Sequence, residues 1–101
     1  MDDTNHVLQM PRPRFRLKFL SAADRSPVRA SATLAEVKGG KVEPDSDKYE
    51  FRSELDVYLD EKKFPSGTEV KFRVLAERFE AMVTDWITVQ DGAVVEIFLR
   101  E

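Results

Sequence analysis

Residues 67–79, GTEVKFRVLAERF, admit two incompatible readings. Coiled into a helix, the stretch gathers Val70, Val74 and Leu75 on one face; extended, it sets Val70, Phe72, Val74 and Ala76 against Glu69, Lys71 and Arg73. The Pro-Ser-Gly-Thr lead-in and the strand-like runs on both sides favour the strand. Leu75, Ala76 and Glu77 are good helix formers, so a helical turn at 75–82 stands as the alternative.

The flanking segments follow the same logic. RFRLKFL at 14–20 alternates strictly, with Phe15, Leu17 and Phe19 toward a core and the cations on the wet side. SAADRSP at 21–27 is turn-rich. VRASATLAEV at 28–37 places Val28, Ala30, Ala32 and Leu34 on one side, small enough to let an opposing sheet approach closely. KGGKVEPDSD at 38–47 is a loop by its glycines, proline and charges. KYEFRSELDVYLD at 48–60 alternates as a strand, broken in two near Ser53, because a helix would scatter its apolar residues around the circumference. In MVTDWITVQDGAVVEIFLR at 82–100, Asp91-Gly92 between two β-rich runs is the clearest hairpin signal in the chain. Six or seven short strands without a long helix predict an all-β fold, an antiparallel β-sandwich over residues 14–101. Residues 1–13 are expected to form a flexible polar arm ending in two prolines.

A chain of 101 residues fits one domain. At this length roughly 60 to 70 percent of the unfolded surface is buried, so surface clefts and flat faces are the realistic sites rather than a large enclosed cavity. Cysteine is absent, which excludes disulfides, thiolate metal sites and a cysteine nucleophile and is compatible with a reducing cytoplasm. The start, MDDTNHVLQMPRPR, has acids where a signal peptide needs positive charge, and no stretch approaches membrane-spanning length. The expectation is a soluble, cytoplasmic chain with no membrane partner.

The net charge of −3 hides an asymmetry: residues 1–41 carry eight Lys/Arg against four Asp/Glu, and residues 42–69 carry four against nine. In PRPRFRLK, Arg14, Arg16 and Lys18 would contact phosphates while Phe15 stacks on a base. The competing account, a strand with its cations in water, suits an acidic chain better, so no nucleic-acid partner is expected.

SPVRASATLAEV, DSDKYEF and the closing section FPSGTEVKFRVLAERFEAMVTDWITVQDGAVVEIFL, taken in order, resemble carboxypeptidase regulatory-like, transthyretin-like β-sandwich domains. The pattern departs at Arg78, where many members have glycine before the aromatic Phe79, and in the acidic section 53–63. The resemblance implies an accessory module, usually non-catalytic, beside enzymes, receptors and surface proteins, bacterial ones among them. Transthyretin-like hydroxyisourate hydrolases need several histidines and a C-terminal Tyr-Arg-Gly-Ser, whereas this chain has His6 alone and ends FLRE. Collagen-adhesin B-type repeats join a core lysine to an asparagine, or less often an aspartate, with help from an acid; Lys18 lies near the expected position, but the one asparagine, Asn5, falls in the arm, so the usual bond is not expected.

No catalytic constellation stands out, and no enzyme activity, cofactor or metal is expected. A Ser-His-Asp arrangement would have to use His6, and Ser66 lies in an ordinary turn. The pairs Asp56 with Asp60 and Asp60 with Glu61 arise readily among 19 acids. Glu43, Asp45, Asp47 and Glu50 offer oxygens but lack the spacing of a calcium loop.

The anomaly lies near the end. With Val83, Ile87 and Val89 inward, alternation sends Trp86 outward between Thr84 and Thr88; with Val95, Ile97 and Leu99 inward, Val94 and Phe98 join that outer side. A solvated face has no use for these apolar groups. Either the chain covers them itself, by a crossing loop, by Val7, Leu8 and Met10 of the arm, or by a register that buries Trp86, or they form a docking patch. The first functional expectation is therefore a protein-interaction or assembly module that binds another protein or itself through Trp86, Phe98, Val94, Thr84 and Thr88 or through an edge strand. The second is a carbohydrate-binding accessory domain in which Trp86 stacks on a sugar while Thr84, Thr88 or Asp85 hold hydroxyls.

Overall fold

A computed structural model describes residues 13–42 and 50–101. The described residues form seven strands and no helix: β1 (Phe15–Ser21), β2 (Ala30–Val37), β3 (Glu54–Val57), β4 (Glu69–Ala76), β5 (Met82–Val83), β6 (Ile87–Thr88) and β7 (Val94–Leu99). The chain is all-β. The stretch 67–79 resolves as strand β4, whose Val70, Phe72 and Val74 are buried while Arg73 and Leu75 are exposed. Extended backbone wins over local helix propensity because alternate burial hides three large side chains on one face, each gaining roughly 1.5 to 3 kcal/mol.

The strands form two sheets, one ordered β3-β1-β7 and the other β2-β4-β5, with β6 also on β4. One core draws on both: Phe15, Leu17, Phe19, Ile97 and Leu99 from the first, and Ala30, Val70, Phe72, Val74 and Ile87 from the second. Phe15 and Phe72 meet edge to face across the layers, 6.2 Å between centroids. The break foreseen near Ser53 is where the chain changes sheets. Arg52 bridges to Ala30 of β2, and two residues later Glu54 pairs with Lys18 of β1.

Two expectations about pairing need correction. All pairs were expected to be antiparallel, but β1 and β7 run parallel, from Arg16 opposite Val94 to Ser21 opposite Leu99. Asp91-Gly92 does not close a hairpin either: β6 pairs with β4 and β7 with β1, so the turn carries the chain from one sheet to the other. A two-residue type I′ hairpin needs positive φ at both central residues. Here only Gly92 has it, at 83°, and Ala93 N–H donates to Gln90 O, as in a type II turn.

Arg14, expected on the wet side of its strand, is buried. Its Nη1 donates to Leu59 O (3.2 Å) and Phe64 O (3.0 Å), and its Nε is ion-paired with Asp91. One guanidinium thus ties the start of β1 to the β3–β4 connection and to the turn before β7.

Candidate functional site

The five residues expected to form an outer patch divide between the sheets. Ile87 pairs inward against Val70 and Thr88 lies outward opposite Glu69, so Trp86 and Thr88 stand outside the β4 sheet. Val94 and Phe98 are exposed on β7, outside the β1 sheet, because Ile97 and Leu99 are buried between them and the core. The single face assumed from a β6–β7 hairpin therefore does not exist.

Thr84 does not stand on an outer face with the others. It is buried, its N–H donates to Phe72 O (2.8 Å), and its Oγ1 accepts from Phe72 N–H (3.0 Å), standing in for the carbonyl that a regular strand would supply. Val83, expected inward, is exposed opposite Arg73, while Met82 takes the inner position opposite Val74. Alternation fails at Asp85 and Trp86, two successive exposed residues, where Asp85 Oδ1 accepts the Trp86 N–H (2.8 Å). That extra residue restores the phase, so Trp86 is outward as the alternation from Ile87 and Val89 requires.

Cations rest over both aromatics. Lys71 Nζ lies 4.7 Å and Lys38 Nζ 5.9 Å from the Trp86 ring centroid, and these ammoniums are in turn held by Glu36 (3.5 Å) and Glu69 (3.0 Å). Arg25 Cζ is 5.8 Å from the Phe98 centroid. Contacts of this kind contribute about 0.5 to 1 kcal/mol each at exposed sites, and the aliphatic stems shield part of the ring from water. The covering residues proposed from the arm, Val7, Leu8 and Met10, lie outside the described residues.

Trp86 and Phe98 nevertheless approach one another around the rim of the molecule, where they flank a cleft of about 270 Å³ floored by Met82, Ile87 and Ile97. Among the described residues this rim is the open edge of β7, the last strand of its sheet. Arg16 N–H donates to Ala93 O (2.9 Å) and Ala22 N–H to Leu99 O (2.8 Å), so the odd-numbered residues of β7 turn their main-chain groups toward β1. The N–H and C=O of Val94, Glu96 and Phe98 therefore point out from the sheet. Just past the strand, Arg100 O accepts from Glu80 N–H (2.8 Å) and ends the open stretch. Among the described residues two carboxylates, Asp85 and Glu96, line the cleft and no cation does. Neither acid closes an ion pair among the described residues, although Lys18 is the register partner of Glu96 on β1.

The other candidates are engaged in the fold. Phe15 is buried, and Arg16 holds Asp56 (2.8 Å) and Glu54 (3.1 Å) across the β1–β3 pair. Asp60 Oδ1 accepts from Lys62 N–H, and Glu50 pairs with Arg52 (2.8 Å). Ser66 sits in the exposed turn at 65–68. Asn5, His6, Glu43, Asp45 and Asp47 lie outside the described residues. Among the described residues no group of three His, Cys, Asp or Glu side chains could hold a metal ion, and no helix is long and apolar enough to cross a membrane.

Alternation reveals the outward Trp86, but not the cleft, which exists only because β6 and β7 belong to different sheets. Comparison of the chain with family models, with curated proteins and with solved structures finds no match.

Proposed function

We propose that the chain is a non-catalytic interaction or assembly module of the carboxypeptidase regulatory-like, transthyretin-like β-sandwich kind, which docks another protein or a second copy at the open edge of β7. The observation that carries the reading is the run of outward main-chain groups at Val94, Glu96 and Phe98 beside a cleft flanked by Trp86 and Phe98. An edge of this sort supplies affinity through main-chain hydrogen bonds and selectivity through the adjoining pocket. The family resemblance gains support from Arg78: it has φ of 70° just before Phe79, the conformation that a glycine at that position would serve. The carbohydrate alternative loses one of its hydroxyl-binding groups, since Thr84 is spent on β4, and lysines already occupy the Trp86 ring.

The test is a photo-crosslinker placed at Val94, compared in the parent chain and in Trp86→Ser/Phe98→Ser. The expected result is one adduct of defined mass, either a dimer or a single heterologous complex, that disappears in the double variant while its circular dichroism is unchanged. Survival of the adduct without the aromatics would overturn the reading.

A further inference from the structure

We infer that the occupant of this edge, if the interaction reading on which the inference rests is right, is an extended segment of another protein with an apolar-basic-apolar centre, its lysine or arginine opposite Glu96. An antiparallel strand that hydrogen-bonds to Val94, Glu96 and Phe98 together sets the middle one of its three bonding residues, its central residue here, against Glu96. Side chains directly opposite share a face, so that central residue lies beside the Glu96 carboxylate. Its two neighbours project to the other face, over Ile97, Ile87 and Met82, and must be apolar.

Charge decides what stands at the centre. The central residue shares the outer face of the β1 sheet with the Glu96 carboxylate, which closes no ion pair among the described residues, and with the Phe98 ring, so a basic residue there gains a carboxylate and an aromatic wall even with Lys18 opposite Glu96 on β1, whereas an acid meets repulsion. The same register disfavours a second copy of β7. Its two-fold axis would fall on Glu96, placing that carboxylate against its own image.

The probes are three synthetic heptapeptides, Thr-Thr-Val-Xaa-Val-Thr-Thr with Lys, Thr or Glu at the centre, titrated into the full chain and followed by amide NMR shifts. The lysine peptide should shift Val94, Glu96 and Phe98 and bind about tenfold more tightly than the glutamate peptide at low salt. That preference should collapse in Glu96→Gln and shrink as salt is raised. Equal affinities, shifts centred elsewhere, no binding by any peptide, or a dimer crosslinked through β7 would each overturn the inference. The two proposals fail separately: an adduct at Val94 that needs Trp86 and Phe98 while the peptides do not bind removes only the basic strand, and an adduct indifferent to the aromatics removes the interaction reading itself.

Discussion

Arg78 stands where the backbone asks for glycine. Four turns, at 37–40, 65–68, 76–79 and 90–93, close with an N–H from the fourth residue to the carbonyl of the first, and each has positive φ at its third residue. Three of those residues are Gly39, Gly67 and Gly92; the fourth is Arg78. A side chain in this region costs about 1 to 2 kcal/mol, of which glycine's greater freedom in the unfolded chain takes back roughly half. Arg78→Gly should therefore stabilise the fold by up to about 1 kcal/mol, read as a higher urea midpoint at constant slope. In the neighbouring turn at 21–26, hydrogen bonds from the Ser26 hydroxyl (2.7 Å) and N–H (3.0 Å) hold the Asp24 carboxyl below its ordinary pKa of 3.8. A carboxyl whose pKa is depressed by folding contributes its stability above the unfolded value and loses it as pH falls through the folded one. Carboxyl NMR should thus place the Asp24 midpoint below 3.8, and Ser26→Ala should raise it part of the way back.

At the scale of elements, β4 and β5 are joined by a side chain acting as main chain. Replacing Thr84 by valine keeps the shape but leaves the Phe72 N–H without an acceptor in a buried place, which should cost about 1 to 3 kcal/mol in chemical denaturation, while serine should cost much less. Strands β1 and β4 were legible in the sequence because period-two burial is local: Phe15, Leu17 and Phe19, or Val70, Phe72 and Val74, declare their own orientation. The sheet change at Ser53 showed as a break in such a pattern. What was not legible depended on partners. Asp-Gly fits both type I′ and type II turns, and which one forms is set by whether β6 and β7 can pair or are claimed by β4 and β1. Thr84 was misplaced for a related reason, since counting back from Ile87 cannot register the extra residue at Asp85. The split of Trp86 from Phe98 follows from the first of these alone, since β6 and β7 lie in different sheets.

For the whole molecule, Arg14 is the clearest case of a residue whose role is decided far away. Its partners, Leu59, Phe64 and Asp91, are distant in sequence, and two of them contribute carbonyls that any residue type would provide. Arg14→Met should destabilise the fold by about 2 to 4 kcal/mol, because two carbonyls lose their donor. Asp91→Asn keeps an oxygen acceptor but removes the charge beside a buried guanidinium, so it should cost about 1 to 2 kcal/mol, less than Arg14→Met. Loss of equal size in the two variants, measured by urea unfolding, would refute the clamp. The parallel pairing of β1 with β7 carries a mechanical consequence. The beginning of β1 and the end of β7 lie at opposite ends of the pair, so tension applied through Arg14 and Arg100 pulls the two strands past each other lengthwise. Every rung then bears the load at once and all must rupture together, whereas an antiparallel pair held at adjacent ends would peel open rung by rung.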